Sequence, residues 1–477
     1  MKRLKIFVIF MIFAAMALTF RLAYICIVKK EDYSQKAVGQ RVERLKYSGI
    51  KGVIYDRNMI SITDYNNITV KDGKLFFQGN KTNNLLSHVI GYVSDDGKGS
   101  GIIGAFADAL SNGEKAVSCL KGPDGKVPDG YLYQRDSRYS GISLTIDYHM
   151  QKIAENAMDK YGIKGAAVVA DCKTGEILAM ASRPNFDKNN IAKYLNGTEG
   201  ELVNKAISAY NPGSVFKIAV AAAALETSLN EERTYSCSGE TEIDGRAFAC
   251  HKEDGHGTLN VKEAFANSCN SAFYSIGIET GADMICKYAR LFGFGKEVLK
   301  INGICEDEGV IPSGDYTDAQ TANISIGQGD VMVTPLQVAD MMCTICNGGI
   351  RNQMKIIRGF VDADGKCRPT DPVQTGRVIS KSTADKIISM MIEAVKSGTG
   401  IEAQIEKYGA GGKTGSAETG WEKDGELMTQ GWFAGFFPAE EPKYVCVVVA
   451  ENGKSGSKSA CPVFRQIGED ICNINVR

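Results

Sequence analysis

The sequence has almost no net charge and shows no repetitive organisation. Its 477 residues contain 55 Lys and Arg against 56 Asp and Glu, a formal net charge of -1, so its charge gives no indication of a nucleic-acid partner. It contains no internal repeat and no low-complexity tract, which excludes a solenoid or a disordered linker protein. With 44% hydrophobic residues, a chain of this length can form one large domain and a smaller one.

The sequence also lacks an ordered cysteine framework. Its 14 cysteines are scattered without regular spacing, which favours mostly free thiols. Cys237 and Cys250 flank a short segment and could form a disulfide in an oxidising compartment. With His251 and His256 they could instead form a zinc site, but the two cysteines lack the close spacing of such sites. We therefore expect no metal and no cofactor.

One long apolar run is present, and it lies at the N-terminus. Residues 2, 3 and 5 are basic, residues 6–20 carry no charge, and the apolar character continues to residue 28. A helix over residues 6–28 would be about 35 Å long, enough to span a bilayer, and the positive-inside rule puts its N-terminus in the cytoplasm. We expect a single-pass membrane anchor with the rest of the chain outside the cell. A signal peptide cleaved after residues 15–17 is the alternative.

The remaining sequence changes character near residue 142. Residues 29–141 are polar, with short β-like runs such as 52–55 and 75–78, and predict an extended N-terminal domain. Further along, the patterns predict a strand at 142–147, a helix at 148–161, a hairpin of 166–170 with 176–181, helices from Lys217, Asn260 and Pro335 and over 381–397, strands at 431–437 and 444–450, and a closing helix at 461–474. Strands at both ends with helices between them predict an α+β domain over residues 142–477, with its sheet covered by helices.

The strongest chemical signal is Ser214 followed three residues later by Lys217. Residues 211–213 predict a turn, and the alanine-rich segment after them predicts a buried helix on which both side chains share a face. A serine hydroxyl needs a base, and burial can lower the pKa of a lysine enough for it to accept that proton. Ser-x-x-Lys also occurs at positions 48, 118 and 455, but only Ser214 begins an apolar helix.

Two further motifs follow in the chain. Ser268-Cys269-Asn270 comes after a predicted helix, and Lys413-Thr414-Gly415 comes after a glycine pair and before two predicted strands. Ser-x-x-Lys with Ser-x-Asn and Lys-Thr-Gly is the motif set of β-lactamases and penicillin-binding proteins. A second Lys-Thr-Gly at 173–175 lies in the predicted hairpin turn, which explains it. A strand without a side chain at Gly415 would let a peptide approach its backbone closely.

On these motifs the chain resembles the class B penicillin-binding proteins, membrane-anchored D,D-transpeptidases of peptidoglycan synthesis, over nearly its whole length. Residues 51–58, 144–147, 183–187, 327–329 and 431–435 also match the family. Lys51 replaces a family arginine and Met59 a family glycine, both outside the motifs. The resemblance implies a cytoplasmic tail at 1–5, an anchor at 6–28, an N-terminal domain at 29–141 and a serine transpeptidase (β-lactamase-like) domain at 142–477.

The resemblance also implies residue roles. Ser214 would be the nucleophile and Lys217 its base, kept neutral partly by the second cation Lys413. Ser268 would relay protons and Asn270 would hold the substrate amide. Lys413 and Thr414 would bind the substrate carboxylate, Gly415 would let the peptide approach, and the backbone N–H groups of Ser214 and Ser416 would form the oxyanion hole.

The function implied is cross-linking of peptidoglycan stem peptides by acyl transfer from D-Ala-D-Ala, with covalent inhibition by β-lactams. Hydrolysis, as a D,D-carboxypeptidase or a β-lactamase, and a penicillin-sensing binding domain are the alternatives. The family implies a partner glycan polymerase of the SEDS type. A role in elongation and cell shape, in division or in sporulation stays open, as does the preferred stem peptide.

Overall fold

The computed structural model describes residues 2–47, 52–63, 67–71, 74–78, 84–92, 99–111, 115–122, 126, 134–135, 141–188, 190–227, 229–230, 232–362, 365–371, 373–423, 426–451 and 453–474. The chain divides into two compact units. The first comprises Met1–Lys51, Asp64–Lys81 and Ser111–Tyr139, and the second comprises Gly52–Thr63, Thr82–Leu110 and Ser140–Arg477.

The α-helices in chain order are α1 (Lys2–Ala23), α2 (Lys30–Arg41), α3 (Ser87–Ile90), α4 (Gly101–Ala105), α5 (Ala107–Ser111), α6 (Tyr148–Lys160), α7 (Lys217–Thr227), α8 (Val261–Ala266), α9 (Asn270–Thr280), α10 (Ala282–Leu291), α11 (Asp318–Ser325), α12 (Pro335–Cys346), α13 (Lys381–Lys396) and α14 (Gly456–Ile474). The strands are β1 (Val42–Tyr47), β2 (Val53–Tyr55), β3 (Asn67–Lys71), β4 (Lys74–Gln78), β5 (Lys115–Leu120), β6 (Gln134–Arg135), β7 (Gly141–Leu144), β8 (Gly165–Asp171), β9 (Ile177–Arg183), β10 (Thr234–Cys237), β11 (Glu240–Ile243), β12 (Arg246–Ala249), β13 (Gly257–Asn260), β14 (Ile350–Asn352), β15 (Ile357–Val361), β16 (Cys367–Pro369), β17 (Gln374–Arg377), β18 (Gly411–Lys423), β19 (Glu426–Phe437) and β20 (Tyr444–Ala450).

The first unit begins with the apolar N-terminal segment. Together with a π-helical turn at Tyr24–Val28, α1 forms a helix, Lys2–Val28, that is long and apolar enough to cross a membrane. Its large apolar side chains, such as Phe7 and Phe13, are exposed to the surroundings rather than packed in a core. This fits the expected single-pass anchor. The rest of the unit contains the antiparallel sheet β1-β5-β6 and the hairpin β3-β4.

The second unit is built on a five-stranded antiparallel sheet in the order β18-β19-β20-β8-β9. The side chains of α6 and α14 pack into one core with the inward-facing residues of this sheet, where the rings of Phe433 and Phe464 lie 4.6 Å apart. Helix α12 packs against β8 and β20, and α13 packs against β18. The predicted α+β architecture, with the sheet covered by helices, is confirmed.

A second sheet explains why two early segments belong to this unit. Strand β2 pairs in parallel with β7 in the four-stranded order β16-β15-β7-β2, and the Gly52 N–H donates to the Leu110 carbonyl at 2.8 Å. Gly52–Thr63 and Thr82–Leu110 therefore pack with the C-terminal part of the chain, although both lie within the segment 29–141 that the sequence assigns to one N-terminal domain. Pairing between strands so far apart leaves no local sequence signal.

Helix starts follow the local capping residues. Asp147 accepts hydrogen bonds from the N–H groups of His149 and Met150 at 2.9 and 3.1 Å and thereby begins α6 at the predicted place. Asn260 and Glu263 form a reciprocal capping box at α8, the helix that leads to Ser268-Cys269-Asn270.

Candidate active site

Ser214 lies in a single 3₁₀ turn, Gly213–Phe216, that leads directly into α7. The predicted helix is present, but its first turn is tighter than an α-helix. Ser214 is half-buried, whereas Val215, Phe216 and Lys217 are buried. The serine is therefore the residue of this turn that a substrate could reach.

The turn that carries Ser214 is held from several sides. The Gly213 N–H donates to the Gly327 carbonyl at 3.1 Å, and a Cβ at Gly327 would lie 2.2 Å from the Gly213 oxygen. The Asn211 side chain donates to the Val331 carbonyl at 2.8 Å, and the Trp432 indole donates to the Asn211 carbonyl at 3.0 Å. From the sequence, Asn211 was predicted only to be part of a turn, and Trp432 only to belong to a stretch that matches the family. Both hold the backbone of the turn that carries Ser214.

Lys217 is fully buried and points its ammonium group at the Ser268-Cys269-Asn270 segment. Its Nζ donates to the Ser268 carbonyl at 2.7 Å and to the Asn270 Oδ1 at 2.8 Å, and lies 3.3 Å from the Ser268 Oγ. Nζ also lies 5.2 Å from the centre of the Phe273 ring. The predicted meeting of the first two motifs is present, and every acceptor around Nζ is an uncharged oxygen.

Burial lowers the pKa of Lys217 to about 7, and the Cys269 and Cys250 thiols oppose this shift. Burial also holds the pKa of Lys413 well below its usual range, with the charge of Lys217 as a second cause. The sequence assigned Lys413 a part in keeping Lys217 neutral. In the structure, burial is what lowers the pKa of Lys217. The repulsion between the two ammonium groups lowers the pKa of Lys413 instead.

The Ser268-Cys269-Asn270 segment is a tight connection between α8 and α9. Ser268 has a positive φ of 55°, unusual for a residue with a Cβ, and its N–H donates to the Phe265 carbonyl at 3.1 Å. Cys269 is fully buried, and Asn270 is the first residue of α9. This geometry turns the Ser268 carbonyl and the Asn270 side chain toward the same Lys217 nitrogen.

The third motif lies on β18, at the edge of the sheet and against the Ser214 turn. A Cβ at Gly415 would lie 2.8 Å from the Pro212 carbonyl, and one at Gly213 would lie 2.6 Å from the Ser416 carbonyl. Only residues without a side chain permit this approach of two backbones. Ser416 is exposed, and its Oγ accepts a hydrogen bond from the Gly456 N–H at 3.2 Å.

The other two residues of this motif are buried. Lys413 Nζ lies 5.8 Å from the Phe265 ring centre and donates to the Thr414 carbonyl at 3.2 Å. The Thr414 hydroxyl is 2.6 Å from that of Thr399, a half-buried residue after α13 that the sequence did not single out. The Lys173 decoy is exposed in the β8-β9 turn, with its N–H bonded to Asp171, as predicted.

The structure thus brings all three motifs to one place: the turn that carries half-buried Ser214 lies against β18, and buried Lys217 bonds to Ser268 and Asn270. A lysine whose pKa is near 7 is partly neutral at physiological pH and can accept a hydroxyl proton. The arrangement is suited to nucleophilic acyl transfer.

Cys237 and Cys250 are both free thiols, so the disulfide considered as an alternative is not formed between them. His251 is exposed, while the His256 ring turns toward both sulfurs. Among the described residues, these thiols with His256 and Cys269 form the group that could hold a metal ion.

Comparison with protein families gives a match to the penicillin-binding protein transpeptidase domain over residues 165–469. Stage V sporulation protein D of Bacillus subtilis is 34% identical over 413 residues, which cover 81% of this chain and 62% of that protein. Peptidoglycan D,D-transpeptidase PbpA of Mycobacterium tuberculosis is 31% identical over 392 residues, covering 76% of this chain and 79% of PbpA. The match to the Bacillus protein thus spans less than two thirds of that relative.

Solved structures give the same picture. The D,D-transpeptidase domain of a peptidoglycan glycosyltransferase from Eggerthella lenta has a TM-score of 0.75 at 27% identity, covering 90% of this chain and 99% of that one. Penicillin-binding protein A of M. tuberculosis, as its penicillin G acyl-enzyme complex, has a TM-score of 0.76 at 26% identity, covering 89% of this chain and all of that one, 100%.

Proposed function

This chain belongs to the penicillin-binding protein transpeptidase family, and from that premise we propose that it is a serine D,D-transpeptidase that cross-links peptidoglycan stem peptides and is acylated by β-lactams. The proposal is carried by one observation: buried Lys217 Nζ bonds to Ser268 and Asn270 next to the turn that presents Ser214.

The chemistry proceeds in two acyl transfers. The Ser214 Oγ attacks the carbonyl carbon of the penultimate D-Ala while its proton moves to neutral Lys217. When the peptide C–N bond breaks, the departing D-Ala amine takes up a proton from Lys217 through the Ser268 hydroxyl. An amine from a second stem peptide then attacks the ester, Lys217 accepts its proton, and Ser214 leaves reprotonated. The product is a new amide cross-link.

Substrate binding is assigned to the Ser214 turn, the Ser268 segment and β18. Lys413 and Thr414 bind the terminal carboxylate of the donor peptide, and Gly415 leaves room for its backbone. The carboxylate supplies the opposite charge that Lys413 lacks in the free protein, where burial holds its pKa low. The N–H groups of Ser214 and Ser416 stabilise the oxyanion, each contributing roughly 3 to 4 kcal/mol.

The N-terminal segment acts as the membrane anchor. The basic residues at positions 2, 3 and 5 support a cytoplasmic N-terminus and an extracellular catalytic domain. The proposed division is a tail at 1–5, an anchor at 6–28 in the lipid bilayer, an N-terminal domain at 29–141 and a catalytic domain at 142–477. Two segments of 29–141, Gly52–Thr63 and Thr82–Leu110, pack with the catalytic domain. A SEDS-type glycan polymerase is the proposed partner, because a transpeptidase cross-links strands that another enzyme polymerises.

The proposal is tested by labelling the full-length protein in detergent with a fluorescent penicillin, followed by intact mass measurement. The wild type should gain one covalent adduct, and Ser214→Ala should gain none. Ser118→Ala, at another Ser-x-x-Lys pattern in the first unit, is the matched control and should label fully. Labelling of Ser214→Ala would assign the nucleophile to another serine.

A second measurement separates cross-linking from hydrolysis. The protein is supplied with a D-Ala-D-Ala stem peptide, with and without an acceptor amine, and the products are identified by mass. A transpeptidase forms the cross-linked dimer and holds its penicillin adduct for long times. Release of the shortened peptide alone, with rapid loss of the penicillin adduct, would identify a carboxypeptidase or β-lactamase instead.

A further inference from the structure

Three thiols and an imidazole converge beside the Ser268 segment without a place in the proposed acyl transfer. The ligand atoms of Cys237, Cys250, His256 and Cys269 all lie within 4.8 Å of one another. The sulfurs of Cys237 and Cys250 each lie 3.5 Å from the Nδ1 of His256. Cys237, Cys250 and Cys269 are 3%, 4% and 0% exposed, and His256 is half-buried, so the cluster is largely shielded from water.

These distances match a tetrahedral zinc site. With Zn–S bonds of about 2.3 Å and Zn–N bonds of about 2.05 Å, a tetrahedron places sulfur about 3.5 Å from nitrogen and sulfurs about 3.8 Å from each other. The distances from the Cys237 and Cys250 sulfurs to the His256 nitrogen already have this value. The upper bound of 4.8 Å for the remaining pairs allows closure by small side-chain rotations. Thiolates with one imidazole are a ligand set that selects zinc over hard cations.

We propose that Cys237, Cys250, His256 and Cys269 bind one zinc ion in a closed Cys₃His site. The sequence suggested a zinc site of Cys237 and Cys250 with His251 and His256, and the lack of a close Cys-x-x-Cys pair argued against it. The structure puts Cys269 in the place of His251.

The backbone around the cluster is folded tightly enough to fix the ligands. Cys237 ends β10 opposite Gly257 of β13, which places the preceding His256 beside it. A Cβ at Gly239 would lie 1.8 Å from the Glu253 carbonyl, and one at Gly255 would lie 2.2 Å from the Cys237 carbonyl. These two glycines allow the hairpin β11-β12 to fold back so that Cys250 reaches the same point.

The ion would stabilise the loop that organises Lys217. Cys269 stands between Ser268 and Asn270, and the Asn270 N–H lies 3.4 Å from the Cys250 sulfur. Metal binding therefore ties the β10-β13 pair and the β11-β12 hairpin to the segment that bonds to Lys217. The zinc has four protein ligands and no open position, so its role is structural.

A disulfide is the competing use of these thiols. It could join only two of the three sulfurs and would leave the third as a buried thiol beside His256. One zinc ion satisfies all four ligand atoms at once.

The experiment measures metal rather than activity, so it can fail independently of the proposed function. Full-length protein purified in detergent, with zinc in the medium, is analysed by elemental mass spectrometry. We expect about one zinc per chain in the wild type, and loss of it in Cys237→Ser and His256→Ala. Cys305→Ser changes an exposed cysteine outside the cluster and should keep its zinc. Ser214→Ala, the variant expected not to react with penicillin, should also keep its zinc.

Two measurements on the wild type keep the test decisive if a variant fails to fold. Exchange of the metal for cobalt should give the intense near-ultraviolet absorption of cobalt–thiolate bonds. Cys237, Cys250 and Cys269 should resist alkylation in the native protein and react once a chelator is added. Wild-type protein without stoichiometric metal, or a peptide pair cross-linked through two of these cysteines in a non-reducing digest, would overturn the proposal.

Discussion

The sharpest consequence of the geometry around Lys217 concerns pH. Nζ lies 2.8 Å from the Asn270 Oδ1, so Asn270→Asp would replace a neutral acceptor by a carboxylate at almost the same place. An opposite charge this close raises the pKa of a lysine by about 1 to 3 units. Since burial sets the wild-type pKa at about 7, the variant inflection should move to roughly pH 8 to 10.

The size of the effect follows from the neutral fraction of Lys217. At pH 7 about half of the wild-type lysine is neutral, and a rise of about 1 to 3 pKa units reduces that fraction roughly 5- to 500-fold. The acylation rate at pH 7 should fall by the same factor and recover as the pH rises, because the neutral amine is the base. Lys413, Cys250 and Cys269 interact electrostatically with Lys217, so the observed inflection reports the apparent pKa of these coupled groups together with Lys217.

The assay is the second-order rate constant for acylation by a fluorescent penicillin, measured from about pH 5.5 to pH 10. Asn196→Asp, at an exposed position, is the matched control and should leave the profile unchanged. If Asn270→Asp were slow at every pH with an unmoved inflection, Asn270 would act only as a substrate contact. If the wild type showed no inflection near pH 7, Lys217 would not be the base.

Three further outcomes follow from other contacts. The Arg183 guanidinium lies 2.9 Å from the buried carboxylate of Glu155, and Arg183→Met would leave that carboxylate without its cation. The free energy of unfolding in urea should fall by roughly 3 to 5 kcal/mol. Arg233→Met breaks an exposed ion pair and should lower it by less than about 1 kcal/mol. Gly415→Ala would push a methyl group against the carbonyl of residue 212, 2.8 Å from the new carbon, and should slow acylation by up to about 100-fold; an unchanged rate constant would refute the tight contact. When a stem-peptide carboxylate binds to an acylation-blocked variant, its charge should raise the lowered pKa of Lys413, so that the lysine takes up a proton. Calorimetry in buffers of different ionisation enthalpy should record this proton uptake. No uptake would refute a carboxylate at Lys413.

The parts of the site that the sequence predicts are those carried by local pattern. The alanine-rich run after Ser214 gives a buried helix, and a lysine at its first position must then be buried and lose basicity. The order of Ser268-Cys269-Asn270 and Lys413-Thr414-Gly415 along the chain identifies them among several decoys. Local propensity and motif order suffice for these residues.

The parts that the sequence does not predict depend on tertiary contact. Thr399 meets Thr414 because the loop after α13 runs beside β18, and the Trp432 indole of β19 donates to the Asn211 carbonyl. Parallel pairing of β2 with β7 brings early segments into the second unit. Neither a hydrophobic period nor a spacing records which distant segments become neighbours.

The strand order of the five-stranded sheet also constrains how the protein is made. Strand β20 is the middle strand, yet the ribosome produces it after every other strand of that sheet. Until residue 450 has been synthesised, the β8-β9 hairpin and the β18-β19 hairpin have no common partner, and each offers an unpaired edge to other chains. The growing polypeptide must therefore be protected from aggregation until β20, Tyr444–Ala450, has been made. A nonsense codon shortly before β20 would leave the two hairpins without the strand that joins them into one sheet.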